Sequence, residues 1–181
     1  AEGSPKVVED FAAKIPQADW DKMEKPDFIG VNVYQGDPVE EDGSKSPIPA
    51  GFPLTATKWK VTPEVMHFGI LNVHKRYACP IYITENGLSC NDRVYLDGAV
   101  HDADRIDFLT RYLRELSKCL EDGVDLRGYL QWSFLDNFEW SSGYSERFGI
   151  VYVDYATGCR TPKDSARWYS SVIESNGEIL K

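Results

Sequence analysis

A single glutamate, Glu85, follows an apolar, β-branched run in the segment PIYITENGLSC. The pair Asn86-Gly87 comes directly after it and predicts a tight turn that would fix the direction of the carboxylate. In α/β barrels the carboxyl ends of the strands carry the catalytic groups. Glu85 therefore has the type and position of a catalytic carboxylate, although on its own it is also compatible with a solvated loop charge or the cap of the next segment.

A second segment alternates aromatic and hydrogen-bonding side chains after a later apolar run. Its aromatic residues are Trp132, Phe134, Phe138, Trp140, Tyr144 and Phe148, and its polar residues are Asp136, Asn137 and Glu139. Flat apolar faces beside carboxylates and amides suit a sugar, whose ring has an apolar C–H face and a rim of hydroxyls. The alternative is a cluster of core aromatics, which would normally exclude charged residues.

The composition limits the class of ligand. The chain has 181 residues, of which 42% are hydrophobic and 13% aromatic, enough for one substantial core. The net charge of −9 argues against nucleic acid or an anionic membrane surface as partner and favours a neutral ligand. No apolar run approaches the ~20 residues that span a bilayer, and the start AEGSPKVVEDF lacks the pattern of a signal peptide.

The cysteines and histidines predict neither a metal site nor a cofactor. The cysteines form no C-x-x-C pair and have no nearby histidine at zinc spacing; they are Cys79, Cys90, Cys119 and Cys159. We interpret them as free thiols, mostly small buried hydrophobes, of a reducing compartment, and we expect a cytoplasmic protein. The histidines lie away from the motifs described above, and neither G-x-G-x-x-G nor G-x-x-x-x-G-K is present.

Strand-like and helical patterns alternate along the chain. We predict strands in PDFIGVNVY (26–34), CPIYIT (79–84) and LRGYLQWSFLD (126–136), and a further extended segment at 148–158 that ends in a turn. We predict helices from Ser4 to about Ala13, from Thr62 and Pro63 onward, from the cap Asp102 to Gly123, and over 163–174. The third helix carries an apolar stripe formed by Ile106, Leu109, Leu113, Leu116 and Leu120. This order indicates an α/β fold with a parallel sheet and its chemistry at the carboxyl ends of the strands.

Several motifs in order resemble glycoside hydrolase family 1, the β-glucosidases and their relatives. They are DFIGVNVY, YITENG, and WSFLDNFEW with GYSERFGIVYVDY, and the segments LDGAVHDADRIDFLTRYL and RTPKDSARWY also resemble bacterial members. The resemblance implies a (β/α)8 TIM barrel in which the three predicted strands are the sixth to the eighth. We therefore expect residues 1–181 to be a single C-terminal fragment of about three βα units, with the N-terminal half of the barrel absent.

The resemblance also implies a role for each matching residue. Glu85 matches the catalytic nucleophile, Tyr34 the tyrosine that hydrogen-bonds it, and Asn32 a neighbouring active-site asparagine. The matching substrate-binding residues are Trp59 beside the leaving group, Trp132 beneath the sugar, Glu139 and Trp140 at its O3, O4 and O6 hydroxyls, and Phe148 in the pocket wall. The same match predicts a terminal, unphosphorylated β-linked sugar, because relatives that take 6-phosphosugars have a small residue in place of Glu139.

The reaction that this resemblance implies needs a second carboxyl group. A retaining glycosidase uses two carboxyls about 5 Å apart, and the family's acid/base residue lies in an NEP motif that this sequence does not contain. Two hypotheses follow. In the first, the chain is the nucleophile part of a β-glucosidase-like enzyme that acts on β-glucosides or oligosaccharides when joined to the N-terminal half, and it self-associates and is inactive alone. In the second, it is a non-catalytic carbohydrate-binding or structural fragment.

Overall fold

The computed structural model describes residues 13–22, 24 and 26–181. The helices are α1 (Gln17–Trp20), α2 (Val65–Tyr77), α3 (Ala103–Glu121) and α4 (Asp164–Glu174). The strands are β1 (Ile29–Asn32), β2 (Ile81–Asn86), β3 (Leu126–Gln131), β4 (Val151–Val153) and β5 (Arg160–Pro162). Short 3-10 turns cover Trp140–Ser142 and Glu178–Leu180. The helix predicted from Ser4 falls almost entirely outside the described residues.

The main sheet is parallel and has the strand order β1-β2-β3. A helix follows each of these three strands along the chain, although the β4–β5 pair comes between β3 and α4. The predicted α/β class and the order of the three strands are confirmed for this part of the chain. The register places Asn32 opposite Glu85 and Asn86 opposite Gln131. Strands β4 and β5 form a separate antiparallel pair just before α4. The carboxyl ends of the three parallel strands therefore meet at one edge of the main sheet.

The hydrophobic core lies between the main sheet and helices α2 and α3. Its fully buried members include Met66, Ile70, Ile81, Ile83, Phe108, Leu109, Tyr112 and Leu116. The opposite face of the sheet has no comparable cover within the described part of the chain: Phe28 contacts Tyr82 there and is 54% exposed, and Leu130 of β3 is 53% exposed. One face of this sheet thus remains open to solvent.

The predicted stripe on α3 was partly wrong. Leu109 and Leu116 are buried as expected, but Leu120 is 56% exposed and Ile106 and Leu113 are only half-buried. The buried face is rotated toward Arg105, Phe108, Tyr112 and Cys119. The stripe was drawn from aliphatic residues alone, whereas this helix buries aromatic rings and one guanidinium group.

Several predicted boundaries also differ from the structure. Helix α2 begins at Val65, two residues after Pro63, and the Thr62 hydroxyl does not cap it but accepts a hydrogen bond from the Gly36 N–H at 2.8 Å. Helix α3 begins directly after Asp102, as predicted, but the Asp102 carboxylate binds Arg105 and Ser165 and does not cap the helix. Strand β3 ends at Gln131; the Trp132 N–H still donates to the Asn86 carbonyl, and from Ser133 the chain pairs with residues 148–150.

Two general expectations can be compared with the described residues. All four cysteines are free thiols; Cys79 and Cys119 are buried as predicted, whereas Cys159 is exposed. None of the helices in the described ranges is long and apolar enough to cross a membrane.

Candidate active site

Glu85 is the second-last residue of β2 and lies at the edge of the sheet where the three parallel strands end. Its carboxylate accepts a hydrogen bond of 2.7 Å from the hydroxyl of Tyr34, two residues beyond β1. Burial, this hydrogen bond and the negative charges of Glu85 and Glu139 all raise the pKa of Tyr34 far above its ordinary value. The phenol therefore remains a protonated donor to the carboxylate at any neutral pH.

Asn86 connects the three parallel strands beside Glu85. Its side chain is fully buried, donates to the Val33 carbonyl at 2.7 Å and accepts from the Tyr129 hydroxyl at 2.7 Å. Its backbone carbonyl accepts from the Trp132 N–H at 2.8 Å. These bonds fix the end of β2 against both neighbouring strands.

Gly87 has a different function from the predicted one. The predicted tight turn at Asn86-Gly87 is wrong, because β2 runs through Asn86 and the following residues form no hydrogen-bonded turn. A Cβ atom at position 87 would lie 1.9 Å from the carbonyl oxygen of Trp132. The glycine is required because the chain passes so close to Trp132, and not because of an unusual φ angle.

A cavity of about 300 Å³ opens at Glu85. It is lined by Tyr34, Trp59, Glu85, Trp132, Glu139, Trp140 and Phe148. All the residues that the resemblance placed in the site line this cavity except Asn32. The Asn32 side chain is exposed and accepts a hydrogen bond of 2.6 Å from the Thr84 hydroxyl, so it lies beside Glu85 in register but outside the cavity wall.

Aromatic rings form one wall of the cavity. The ring centroids of Tyr34 and Trp59 are 5.1 Å apart, and those of Trp59 and Phe148 are 5.8 Å apart, in tilted or edge-on contacts. Phe148 is 2% exposed, whereas Trp140 is 80% exposed at the mouth. The peptide bond between Trp132 and Ser133 is cis. Apolar faces of this kind match the C–H face of a pyranose ring.

Glu139 supplies the second carboxylate of the cavity. Burial and the charge of Glu85 raise its pKa above the ordinary value, and the Trp132 indole opposes this shift. Its backbone N–H donates to the Gly143 carbonyl at 2.6 Å, which holds residues 139–143 in a narrow hairpin. The two glutamates therefore face one space and repel each other.

The other polar residues predicted near the sugar do not reach the cavity. The Asp136 carboxylate binds Lys163 at 2.8 Å and Arg147 at 2.6 Å, and the Asn137 amide donates to the Ser133 hydroxyl at 3.0 Å. The nearby aromatics are neither core nor cavity residues, since Phe134, Phe138 and Tyr144 are 68%, 57% and 57% exposed. Glu139 is thus the only interleaved polar residue of that segment that lines the cavity.

Sequence reasoning missed a buried group of charged side chains behind the cavity, here called the ion cluster. Its members are Asp92, Asp102, Arg105, Asp136, Arg147 and Lys163. The available signal was Arg105, which stands in helical phase with the buried Phe108 and Leu109 and so points a charge toward the interior. Among the described residues no group of three or more histidines, cysteines or acids is placed to hold a metal ion.

Comparisons with known proteins agree with this architecture. The family profile named Glycosyl hydrolase family 1 matches residues 6–178. "Beta-glucosidase A" of Thermotoga maritima is 44% identical over 96% of this chain, and "Bifunctional beta-D-glucosidase/beta-D-fucosidase" of Bifidobacterium breve is 37% identical over 88% of it. The structure "Beta-glucosidase from Thermotoga maritima in complex with castanospermine" superimposes with a TM-score of 0.83 at 44% identity over 97% of this chain.

The parallel α/β fold, the cavity and these matches place the chain among the glycoside hydrolases. The chain belongs to glycosyl hydrolase family 1. It spans about two fifths of the length of the relatives it matches, 41% of the Thermotoga maritima protein and 40% of the Bifidobacterium breve protein.

Proposed function

We propose that this chain carries the nucleophile part of a retaining β-glycosidase. The observation that carries the proposal is the hydrogen bond from Tyr34 to Glu85 inside an aromatic-walled cavity. A carboxylate held in this way attacks the anomeric carbon and forms a covalent glycosyl-enzyme, while the glycosidic oxygen leaves with a proton from an acid. Water then attacks the same carbon, gives its proton to the conjugate base of that acid and releases Glu85.

In this proposal β1 to β3 are the sixth to eighth strands of a (β/α)8 barrel, and the acid/base carboxyl comes from the N-terminal half of that barrel. Two observations support this division. The carboxylates that line the cavity in the described part of the chain are Glu85 and Glu139, and the chain covers 41% of its Thermotoga maritima relative. Glu139 is assigned to sugar hydroxyls, because its carboxylate can accept hydrogen bonds from two of them.

The proposed substrate is a terminal, unphosphorylated β-linked sugar, either a β-glucoside or an oligosaccharide end. The names of the relatives support this class, since they include "1,4-beta-D-glucan glucohydrolase" as well as β-glucosidases. The Bifidobacterium breve relative is named as both a glucosidase and a fucosidase, so the proposal does not specify which of these sugars this chain binds.

Trapping of the covalent intermediate tests the proposal. The chain is mixed with the N-terminal part of Thermotoga maritima β-glucosidase A that it does not match, and treated with a 2-deoxy-2-fluoroglucoside carrying a dinitrophenolate leaving group. The fluorine slows breakdown of the adduct more than this leaving group slows its formation. We expect mass spectrometry to find the sugar on the peptide that contains ITENG, and to find none in a Glu85→Gln control. An adduct on Glu139 or on another carboxylate of this chain would contradict the assignment.

The second candidate is a non-catalytic carbohydrate-binding fragment. It is favoured by the cavity itself, which combines aromatic walls with the Glu139 carboxylate but has no carboxyl group besides Glu85 and Glu139 in the described part of the chain. This candidate predicts that a glucose-like inhibitor binds the chain while no adduct forms in the mixture. Adduct formation at Glu85 would exclude it.

A further inference from the structure

The ion cluster is electrically balanced and almost completely removed from water. Its three cations, Arg105, Arg147 and Lys163, face its three anions, Asp92, Asp102 and Asp136. Five of the six side chains are at most 2% exposed, and Arg147 is 16% exposed. Buried ion pairs are often no more stabilising than apolar residues of the same volume, so stability alone does not explain such a cluster.

Lys163 connects two loops that flank the cavity. Its ammonium binds Asp92 at 2.6 Å, in the loop of residues 87–102 that follows Glu85, here called the β2–α3 loop. It also binds Asp136 at 2.8 Å, in the loop of residues 132–150 that carries the sugar-facing wall, here called the β3–β4 loop. Among the described side chains, Lys163 alone forms ion pairs with both loops. Arg105 pairs with Asp92 in the first loop but contacts the second only by a hydrogen bond to the Arg147 carbonyl.

The contacts continue from the cluster to the wall of the cavity. The Asp136 carboxylate accepts the Gly149 N–H at 3.0 Å, directly after Phe148. The carbonyl of Arg147, directly before Phe148, accepts from Arg105 at 2.8 Å and from the Cys90 N–H at 3.1 Å. Asp136 itself lies between Trp132 and Glu139 in the sequence. None of the six cluster residues lines the cavity, so any effect on it is indirect.

We propose that Lys163 is a positioning residue whose ammonium sets the distance between the β2–α3 loop behind Glu85 and the β3–β4 loop that forms the wall of the cavity. Its importance for sugar binding rests on the proposed function. The effect of Lys163 on the distance between the two loops does not rest on the proposed function, because it is a property of the chain without bound sugar. Loss of the ammonium leaves Asp92 with Arg105 and Asp136 with Arg147. It removes the one cation that pairs with both carboxylates, in a space with little access to water.

The experiment uses the full chain labelled with 5-fluorotryptophan, because tryptophans stand on both sides of the cavity. Fluorine NMR resonances are assigned with single Trp→Phe variants; Trp132 and Trp140 report on the wall, and Trp20 in α1 is the internal reference. Lys163→Met removes the ammonium. Lys118→Met removes an exposed lysine that is paired with Glu115 at 2.6 Å, and it serves as the matched control.

A double variant separates position from charge balance. Asp92→Asn with Lys163→Met leaves two cations and two anions in the cluster, so it restores neutrality without restoring the connection between the loops. We expect Lys163→Met to lower the urea midpoint and to shift the Trp132 and Trp140 resonances. We expect the double variant to recover much of the urea midpoint but to keep the Trp132 and Trp140 resonances displaced. The Trp20 resonance should stay at its wild-type position in every variant, and all resonances should do so in the Lys118→Met control.

Return of both wall resonances to the wild-type positions in the double variant would overturn the proposal, since Lys163 would then act only through charge balance. If Lys163→Met alone does not fold, the double variant decides the question by itself. Failure to trap an adduct on Glu85 would refute the proposed function and leave this result unchanged.

Discussion

The hydrogen bond between the Tyr34 hydroxyl and the Glu85 carboxylate joins two groups of which each can carry a negative charge. A phenol that loses its proton here would place a second negative charge against the carboxylate, in a half-buried site and close to Glu139. The same repulsion and the same burial keep the proton on Tyr34. Glu85 therefore retains the Tyr34 hydroxyl as a hydrogen-bond donor at neutral and moderately alkaline pH.

This arrangement predicts a specific loss of stability in alkaline solution. The pKa of Tyr34 is raised in the folded chain above the value of 10.0 for a free side chain. Its contribution is therefore complete below about pH 10 and is lost as the pH rises further, because the unfolded chain releases the proton first. We expect the free energy of unfolding to fall more steeply above pH 10 in the wild type than in Tyr34→Phe. Urea titrations at a series of pH values measure this, and parallel slopes for the two proteins would contradict it.

Glu139 predicts discrimination against phosphorylated sugars. A 6-phosphate would bring a dianion close to this carboxylate, and like charges at such distances cost several kcal/mol across an interface. We expect the chain, completed with the N-terminal part of the Thermotoga maritima relative, to have a higher kcat/KM for an aryl glucoside than for its 6-phosphate. Glu139→Gln should narrow the difference by removing the charge while keeping an acceptor. A preference of the unaltered protein for the 6-phosphate would refute the substrate class.

At the scale of the elements, the end of β2 is held by the close approach of two chain segments. The Asn86 amide reaches both neighbouring strands, and Gly87 leaves room for the Trp132 carbonyl. The position of Glu85 thus depends on two residues whose side chains never enter the cavity.

Gly87→Ala should consequently move β2 and the start of the β3–β4 loop apart. The added methyl would lie 1.9 Å from the Trp132 oxygen, a backbone atom that cannot rotate away. We expect a loss of about 1–3 kcal/mol in the free energy of unfolding, as for other overpacked sites. Gly69→Ala in α2 is the matched control, since its nearest neighbour is a side-chain methyl at 3.4 Å and helix propensity favours alanine by about 0.5–1 kcal/mol. Equal denaturation midpoints for the two variants would contradict this account.

The elements differ in how far the sequence predicts them. The apolar runs of β1 to β3 and the position of Glu85 after the second one follow from local patterns, because each is contained within a few residues. The α3 stripe was misplaced because it was drawn from aliphatic residues alone, whereas the helix also buries Arg105, Phe108 and Tyr112. Arg105 pairs with the nearby Asp102 and Asp92, but the partners of Lys163 lie far away in the sequence: Lys163 and Asp92 are 71 residues apart. Helical periodicity could indicate that Arg105 is buried, but it carries no information on distant pairs such as Lys163 with Asp92, so the connections within the ion cluster could not be predicted.

The residues of the cavity likewise differ in how far the sequence predicts them. The motif resemblance indicated the seven residues that line it. It also indicated Asn32, which lies in register with Glu85 but accepts a hydrogen bond from Thr84 and does not line the cavity. The strand register at Asn32 and Glu85 shifts by one residue, and such an irregularity has no sequence signal in a four-residue strand. Asp136 was grouped with the sugar-binding residues because the sequence does not reveal that Lys163 and Arg147 already occupy its carboxylate.

At the scale of the whole molecule, the main sheet has two unpaired edges in the described structure, one on β1 and one on β3, and an open face. Exposed strand edges and apolar side chains such as Phe28 and Leu130 are typical sites of association. The sheet is therefore suited to pair with the remainder of a barrel or with another copy of itself.

We expect the purified chain to self-associate and not to hydrolyse an ordinary β-glucoside. Loss of general-acid assistance alone typically lowers a rate by about 10²–10⁴-fold, and the open cavity admits water to the nucleophile. Sedimentation velocity should show oligomers that dissociate when the N-terminal part of the Thermotoga maritima relative is added, with aryl-glucoside hydrolysis appearing at the same ratio. Stoichiometric hydrolysis by a monomer of the lone chain would refute the division of the two carboxyls between segments.

The neutrality of the ion cluster also restricts the routes by which this sequence can diverge. Exchange of any one of its six residues for an uncharged one leaves an unmatched charge in a space closed to water, so each first step is harmful even when a later second step is not. Asp92 and Lys163 should therefore be inherited as a pair, replaced together or kept together in descendants of this gene. A single substitution at either position should therefore be rare, and the two should be found replaced together.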